Sequence, residues 1–230
     1  MAGGIASLYK ENLKDERIPG LFSDPYYWWE AGAAMGSLVD YSHLTGDNQY
    51  DDLVAEGIVF QIGDFDAFMP ANQTKSLGND DQATWAQTAM SAAENGFSTS
   101  KLGDRKWVDL AVNVFNTQVE RWDAESCDGG LRWQIYQFNN GYAWKDTTTN
   151  GNFFLLAARL AKMTGNTTYS EWAEKAYKWS TDVGLITDEF QVYAGSDASN
   201  DCANINHLQW SYSTALYTEG AAIMWNIVSI

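Results

Sequence analysis

Positive charge is scarce in this chain of 230 residues, which carries 14 Lys and Arg against 30 Asp and Glu, a formal net charge of −16 at pH 7. Such a chain repels phosphate groups, which disfavours nucleic acid and anionic membrane surfaces as partners. Long apolar runs are missing too, since no stretch reaches the roughly 18 apolar residues of a transmembrane helix. The sequence therefore predicts no transmembrane segment and favours a neutral polymer as partner.

Histidine and cysteine are equally rare, with two of each. No His-Glu pair or Cys-x-x-Cys spacing is present, and this argues against a zinc site. Asp64 and Asp66 lack the ordered loop of oxygen ligands that calcium needs. We therefore expect neither a metal nor a cofactor.

The two cysteines, Cys127 and Cys202, fall in polar, loop-like stretches, whereas free structural thiols prefer buried apolar sites. This placement predicts a disulfide between them. Two sequons begin at Asn72 and Asn166 and predict N-glycosylation. Both features indicate a secreted protein from an oxidising compartment.

Only three prolines occur, and all of them fall between stretches with the apolar rhythm of helices. A repeated Gly-Asp/Asn-x-x-aromatic pattern begins at Gly46, Gly103 and Gly165, and predicts three tight turns between helices. A short β-hairpin is predicted near 129–141, where Gly129-Gly130 and Asn140-Gly141 flank a polar-aromatic run. The predicted helices cover 3–11, 29–44, 48–62, 80–95, 104–121, 149–163, 168–182 and 206–227.

Because tight turns join the helices at one end, the long connections gather at the other end, where we expect the functional site. Four polar-aromatic segments lead into helices at this rim. A repeated helical hairpin with a functional rim is typical of an α/α toroid. The four segments are 26–30, 79–82, 147–150 and 204–210.

The neighbouring carboxylates Asp80 and Asp81 stand at a predicted helix start, with Trp85 one turn further on. Sugar cleavage needs such a pair, one oxygen to attack and one proton to deliver. Two other interpretations exist. Acidic residues are favoured at any helix start, and Asp-Asp opens a magnesium motif that needs a further acid near position 84, where Thr84 stands.

Five motifs, taken in order, resemble glycoside hydrolase family 76, particularly its fungal cell-wall branch. The resemblance implies an (α/α)6 barrel that acts on α-1,6-mannan, in fungi on the mannose-containing glycan of glycolipid-anchored wall proteins. It also implies Asp80 as nucleophile and Asp81 as acid/base. The motifs are Tyr-Trp-Trp-Glu-Ala-Gly-Ala (27–33), Leu-Gly-Asn-Asp-Asp-Gln (77–82), Gly-Gly-Leu-Arg-Trp-Gln (129–134), Thr-Asn-Gly-x-Phe-Phe (149–154) and Asn-His-x-Gln-Trp (206–210).

Together, the rim segments and the resemblance give a set of candidate sugar-binding residues. The tryptophans among them divide between core and sugar platform, and the sequence does not separate the two roles. Glu30 fits a helix cap as well as a ligand for sugar hydroxyls, and His207 fits a structural histidine. The candidates are Trp28, Glu30, Asn79, Gln82, Trp85, Trp133, Trp144, Asn150, His207, Gln209 and Trp210.

About eight helices are predicted, whereas the family's closed barrel has twelve. We therefore expect a single all-α domain over 1–230 that forms an incomplete toroid of about four of the six hairpins. The chain is then a fragment or a shortened homologue.

The spacing of the two acids favours a retaining mechanism. Neighbouring Cα atoms lie about 3.8 Å apart, which suits the roughly 5–5.5 Å carboxyl separation of retaining enzymes. We expect both acids to be exposed in the cleft, with Asp81 protonated while Asp80 is ionised.

The predicted function is an endo-α-1,6-mannosidase or mannan transglycosidase at the cell wall or the outer face of the plasma membrane. Its partner is an α-1,6-linked mannose oligosaccharide or polymer, with β-glucan as a candidate acceptor. The alternative is a catalytically silent module that binds mannan or serves wall assembly.

Overall fold

The computed structural model describes residues 1–13 and 18–228 of the chain. In these ranges the chain forms eight α-helices, whose number and order agree with the prediction. The bounds of seven helices lie within three residues of the predicted ones, whereas α8 begins five residues later than predicted, because Asn206 belongs to a strand. The three prolines fall between the helices, as expected. The helices are α1 (Ala2–Leu13), α2 (Trp28–Thr45), α3 (Asp51–Phe60), α4 (Asn79–Glu94), α5 (Trp107–Glu120), α6 (Thr147–Thr164), α7 (Thr167–Asp182) and α8 (Ser211–Val228).

Two of the three predicted glycine turns are tight. Gly46 ends α2 and Gly165 ends α6, both in the left-handed conformation that glycine adopts at little cost. Gly103 has a positive φ as well, but it ends a short 3-10 turn rather than α4. Helix α4 already stops at Glu94, before the positive-φ residue Gly96. The connection between α4 and α5 is therefore longer than predicted.

The chain divides into two compact units. The first comprises Met1–Thr74 and Thr84–Val114, and the second comprises Lys75–Ala83 and Phe115–Ile230. In the first unit, the buried Trp85 stacks on Trp28 and Phe68, with ring centroids 5.5 and 5.7 Å away. These rings form part of that unit's core.

Helix α6 is the central element of the second unit. Its side chains are buried along almost its whole length, from Thr147 to Ala161 with the exception of Thr148. Such all-round burial marks an interior helix rather than an amphipathic surface helix. Helices α7 and α8 both pack against it.

A small antiparallel sheet precedes and follows α6 and α7 in the second unit. Its strands are β1 (Trp144–Asp146), β2 (Gly195–Asp197) and β3 (Ile205–Asn206), in the order β1-β2-β3. Trp144 pairs with Asp197, and Gly195 pairs with Asn206. This sheet connects the start of α6 with the loop that leads to α8.

The predicted β-hairpin near 129–141 is wrong. Residues 129–141, all of them described, contain turns and bends but no strand. The backbone of this segment bonds to distant residues instead, because Ile135 N donates to Leu77 O at 3.2 Å and Trp133 N donates to Trp144 O at 2.7 Å. Turn signals in the sequence do not reveal such remote partners.

In the described ranges, no helix combines the length and apolar character needed to cross a bilayer.

Candidate active site

The two acids occupy the first turn of α4, which begins at Asn79. Asp81 Oδ2 accepts a hydrogen bond from Gly78 N at 3.0 Å, so this carboxylate also caps its own helix. A Cβ on Gly78 would lie 2.3 Å from Asp80 Oδ1 and 3.0 Å from Asp81 Oδ2. The two oxygens therefore lie close together over a bare glycine Cα, and only glycine fits there.

Asp80 opens onto a groove of about 280 Å³. Trp133 Nε1 donates to Asp80 Oδ2 at 3.1 Å and so orients this carboxylate. Trp210, on the groove wall, is 56% exposed, and its face is accessible to a ligand. The lining residues are Asp80, Trp133, Trp144, Asp146, Thr148, Ala194, Asn206, Leu208 and Trp210.

The electrostatics of the pair differ from the prediction. Burial raises the pKa of Asp80 well above its ordinary value, and the charges of Asp81 and Asp146 raise it further. Burial raises the pKa of Asp81 to about 6, against the opposing hydrogen bond from Gly78. The acids are thus partly buried rather than exposed. The pKa values of both acids are raised, and which of the two holds the proton stays a prediction.

Sequence reasoning missed a third carboxyl group at the site, Asp146. This residue ends β1 and caps α6, because its Oδ1 accepts from Thr149 N at 2.7 Å and its Oδ2 accepts from Thr149 Oγ1 at 3.1 Å. Burial raises its pKa to about 6. The signal was present, since an Asp directly before Thr147 is a helix N-cap. In the described part of the chain, no group of three or more His, Cys, Asp or Glu residues is arranged to hold a metal ion.

The family model for glycosyl hydrolase family 76 matches residues 1–229. The chain belongs to glycosyl hydrolase family 76. The resemblance carried by the five motifs is thereby confirmed. Solved structures of family 76 enzymes are α/α toroids, and the helical fold class predicted for the chain agrees with them.

Three relatives illustrate the match. Mannan endo-1,6-α-mannosidase DCW1 of Candida albicans is 46% identical over 228 residues, which cover 98% of this chain and 50% of that protein. Dfg5 of Chaetomium thermophilum, solved in complex with glucosamine, is 45% identical with a TM-score of 0.93, and the match covers 100% of this chain and 59% of that chain.

The third relative is an inactive variant of the α-1,6-mannanase GH76A of Salegentibacter sp., solved in complex with α-1,6-mannotetrose. It is 18% identical with a TM-score of 0.73, and the match covers 100% of this chain and 66% of that chain. At this identity, the likeness shows the fold alone. The chain spans about half the length of the curated relatives it matches.

Three of the four rim segments predicted for this family 76 chain meet at the groove of the second unit. Asp80 comes from 79–82, Thr148 from 147–150, and Trp210 from 204–210. In the last segment, alternate residues line the groove, namely Asn206, Leu208 and Trp210. The predicted contacts His207 and Gln209 do not line it, because side chains of an extended segment alternate. His207 instead stacks on Tyr193, with ring centroids 4.5 Å apart.

Asn79, Gln82 and Asn150 were predicted to bind sugar, but all three are buried and bond to the protein itself. Asn79 N donates to Trp133 O, and its Nδ2 donates to Arg132 O, both at 2.8 Å. Asn150 bonds to both backbone groups of Leu131, at 2.8 and 3.0 Å. Asn79 and Asn150 thus hold residues 131–133, of which Trp133 lines the groove.

The remaining predicted sugar-binding residues, those of the first unit, contact other residues of that unit. Trp28 Nε1 donates to Gln61 Oε1 at 2.9 Å, and Trp85 is enclosed in the aromatic core. Glu30 Oε2 accepts from Tyr27 N at 2.7 Å, which is the helix-cap alternative raised by the sequence. Trp28 and Trp85 thus serve as core residues rather than exposed platforms.

The disulfide prediction is confirmed, because Cys127 and Cys202 are joined. Both sequon asparagines, Asn72 and Asn166, are exposed. Asn166 Oδ1 accepts from Thr168 N at 3.0 Å and caps α7. Glycosylation of the two asparagines stays a prediction.

Proposed function

We propose that this chain carries the acid pair of an endo-α-1,6-mannosidase or mannan transglycosidase of the fungal cell wall that works with retention. The observation that carries the proposal is the pair Asp80 and Asp81, whose carboxyl oxygens lie together over Gly78, with Asp80 lining a groove that three tryptophans also line. Aromatic faces stack on the C–H faces of sugar rings. The names of the relatives point to α-1,6-linked mannan as the substrate class.

The closeness of the two carboxyl groups supports retention. Both oxygens lie within 3.0 Å of one point above Gly78, a spacing that fits the roughly 5–5.5 Å of retaining enzymes better than the roughly 6.5–9.5 Å of inverting ones. Inverting enzymes need the larger separation between the two carboxyl groups, because a water molecule must fit between the basic carboxylate and the anomeric carbon.

In the proposed mechanism, Asp80 attacks the anomeric carbon and forms a glycosyl ester while Asp81 protonates the departing oxygen. Asp81 then removes a proton from the acceptor, which attacks the ester and releases Asp80. The first step needs Asp80 ionised, and the hydrogen bond from Trp133 favours that form. Because the pair is coupled, its single proton must reside on Asp81 when the substrate is bound.

The acceptor decides between hydrolysis and transfer. Trp144 and Trp210 on the groove wall offer stacking surfaces for an acceptor sugar, which is either a second mannan chain or a β-glucan. The disulfide between Cys127 and Cys202 fits an oxidising compartment. We place the protein outside the cell, at the cell wall or the outer face of the plasma membrane.

One observation favours the alternative of a silent mannan-binding module. Burial and neighbouring charges raise the pKa of Asp80 well above its ordinary value, which favours the protonated form over the ionised form that a nucleophile needs. With Asp80 protonated, the groove would bind a neutral sugar without cleaving it. Binding and turnover must therefore be measured separately.

The test replaces each acid in turn, as Asp80→Asn and Asp81→Asn, and follows cleavage of α-1,6-mannotetrose together with its binding by calorimetry. Each change should reduce kcat by at least about a thousandfold, the scale seen when a nucleophile or its proton donor is removed. Binding should persist, and the melting temperature should not fall, because each change removes a partly buried acid whose ionised form is costly to bury. Asp104→Asn, at an exposed acid, is the matched control.

Cleavage at the parent rate by either variant contradicts the assignment of that acid. A large fall in melting temperature would support helix capping as the main role of the pair. A parent chain that binds the tetrasaccharide without cleaving it would support the silent module.

A further inference from the structure

Arg121 follows the last residue of α5, and its partly buried guanidinium contacts the acid-bearing turn of α4. Its Nε donates to Asn79 Oδ1 at 2.8 Å, and its Nη2 donates to Gln82 Oε1 and, at 3.3 Å, to Thr117 Oγ1. Asn79 and Gln82 stand directly before and directly after the two acids in the chain. One planar guanidinium therefore donates to the residues on both sides of the acid pair.

The contacts of this guanidinium do not explain its presence as a contribution to stability. Among the described residues, no carboxylate forms a salt bridge with Arg121. Burial lowers its pKa to about 10, so the group remains protonated at neutral pH. A partly buried cation whose hydrogen bonds go only to neutral acceptors keeps part of its desolvation cost, which the nearby charge of Glu120 offsets only in part. A buried acceptor nearby, Gln118 Oε1, has no hydrogen-bond partner in the described ranges.

The same contacts continue to the acid pair itself. Asn79, which accepts from Arg121, donates through its backbone N to Trp133 O at 2.8 Å. Trp133 in turn donates from its Nε1 to Asp80 Oδ2 at 3.1 Å. On the other side of Arg121, Gln118 Nε2 donates to Asn79 O at 2.8 Å. A chain of hydrogen-bonded residues thus links Arg121 through Asn79 and Trp133 to the carboxylate of Asp80.

We propose that Arg121 is a positioning residue for the acid pair, an inference that rests on the proposed function. The rigid fork binds two acceptors three residues apart on one face of the first turn of α4. It thereby fixes the rotation of that turn, and the rotation sets the directions of Asp80 and Asp81. A lysine ammonium keeps the charge but cannot reproduce the planar two-acceptor geometry.

The test compares Arg121→Lys and Arg121→Gln with Arg105→Lys, a control at an exposed arginine that pairs with Asp66 at 2.9 Å. With α-1,6-mannotetrose as substrate, both Arg121 variants should lose about ten- to a hundredfold in kcat, the scale expected for a misplaced catalytic group. KM should change by less than about threefold, because Arg121 does not line the groove. The control should match the parent chain.

A second readout does not depend on activity. Carboxyl carbon NMR should show that the titration midpoints of Asp80 and Asp81 move in both Arg121 variants and stay in place in the control. If the parent chain proves inactive, this titration still decides the proposal, and the failure then lies with the proposed function. Should the Arg121 variants fail to fold, Gln82→Leu removes one acceptor of the fork and should move the same midpoints.

Unchanged midpoints and unchanged kcat, together with a lower melting temperature, would overturn the proposal and leave Arg121 a merely structural residue.

Discussion

At the scale of single residues, the site gathers three aspartates whose pKa values are all raised by burial. For Asp81 and Asp146 the value rises from 3.8 to about 6. The folded chain therefore retains protons that the unfolded chain has already released. The resulting stabilisation is fully present below pH 3.8, and it is lost as the pH rises through about 6.

This linkage gives a prediction for Asp146→Asn. The amide keeps an oxygen that can accept from Thr149 N but cannot ionise, so the free energy of unfolding at pH 7.5 should rise by roughly 1–2 kcal/mol. At pH 3.5 the variant and the parent should be alike. Urea unfolding at the two pH values measures both effects, with Asp104→Asn as the control at an exposed acid.

A variant that is less stable than the parent at both pH values would mean that the N-cap of α6 matters more than the buried charge.

Some site residues could be predicted from the sequence because their signals are local. The pair Asp80 and Asp81 stands out by adjacency at a helix start, and the family motif assigns its chemistry. Burial of Asn79 and Gln82 could not be predicted, because their partners on α5 lie about 40 residues away in the chain. Asp146 was missed because the helix was predicted to begin at 149, which left this residue outside the helix start that it caps.

At the scale of elements, the helices were predictable and the sheet was not. Helix starts and ends depend on caps, prolines and glycines that lie within a few residues of each boundary. Strand β1, in contrast, pairs with β2 some 50 residues further along the chain. The segment 129–141 carries hairpin signals, yet its backbone bonds to Leu77 and Trp144.

One element-scale feature without any sequence signal is the loop 123–130, which folds around the ammonium group of Lys145. This side chain of β1 is completely buried, and its Nζ donates to three carbonyl oxygens of the loop at 2.6–3.1 Å. It also pairs with Asp123 Oδ2 at 3.0 Å. Burial alone would raise the pKa of Asp123, but hydrogen bonds from Ser126 and Lys145 hold it at about 2.

We predict that Lys145→Met destabilises the protein by about 3–5 kcal/mol, because the change leaves three carbonyl oxygens without their donor and Asp123 with Arg132 as its remaining salt-bridge partner. Lys178→Met is the control, since Lys178 pairs with Asp182 on the exposed surface of α7. That pair should contribute less than about 1 kcal/mol. Urea unfolding at pH 7 measures both variants.

Equal effects of the two lysine changes would show that the loop is held by other contacts, such as the disulfide between Cys127 and Cys202. That disulfide joins residues 75 positions apart, and in the chain-entropy model it alone stabilises the folded protein by roughly 4 kcal/mol.

At the scale of the whole molecule, family membership and helical architecture followed from motifs spread over nearly the entire sequence. The lining of the groove could not be predicted from these motifs, because it depends on which residues of each rim segment point inward. That the two units form one domain over 1–230, with four of the six hairpins of a toroid, stays a prediction. The net charge of −16 agrees with a neutral glycan as the substrate rather than a polyanion.

The central claim is that Asp80 and Asp81 cleave α-1,6-mannan through a covalent intermediate. Proton NMR of the anomeric signals during cleavage of α-1,6-mannotetrose tests it most directly, because the first product shows the configuration before mutarotation. We predict initial release of the α-anomer, with longer transfer products at high tetrasaccharide concentration. Initial release of the β-anomer would mean inversion and would contradict the covalent step at Asp80.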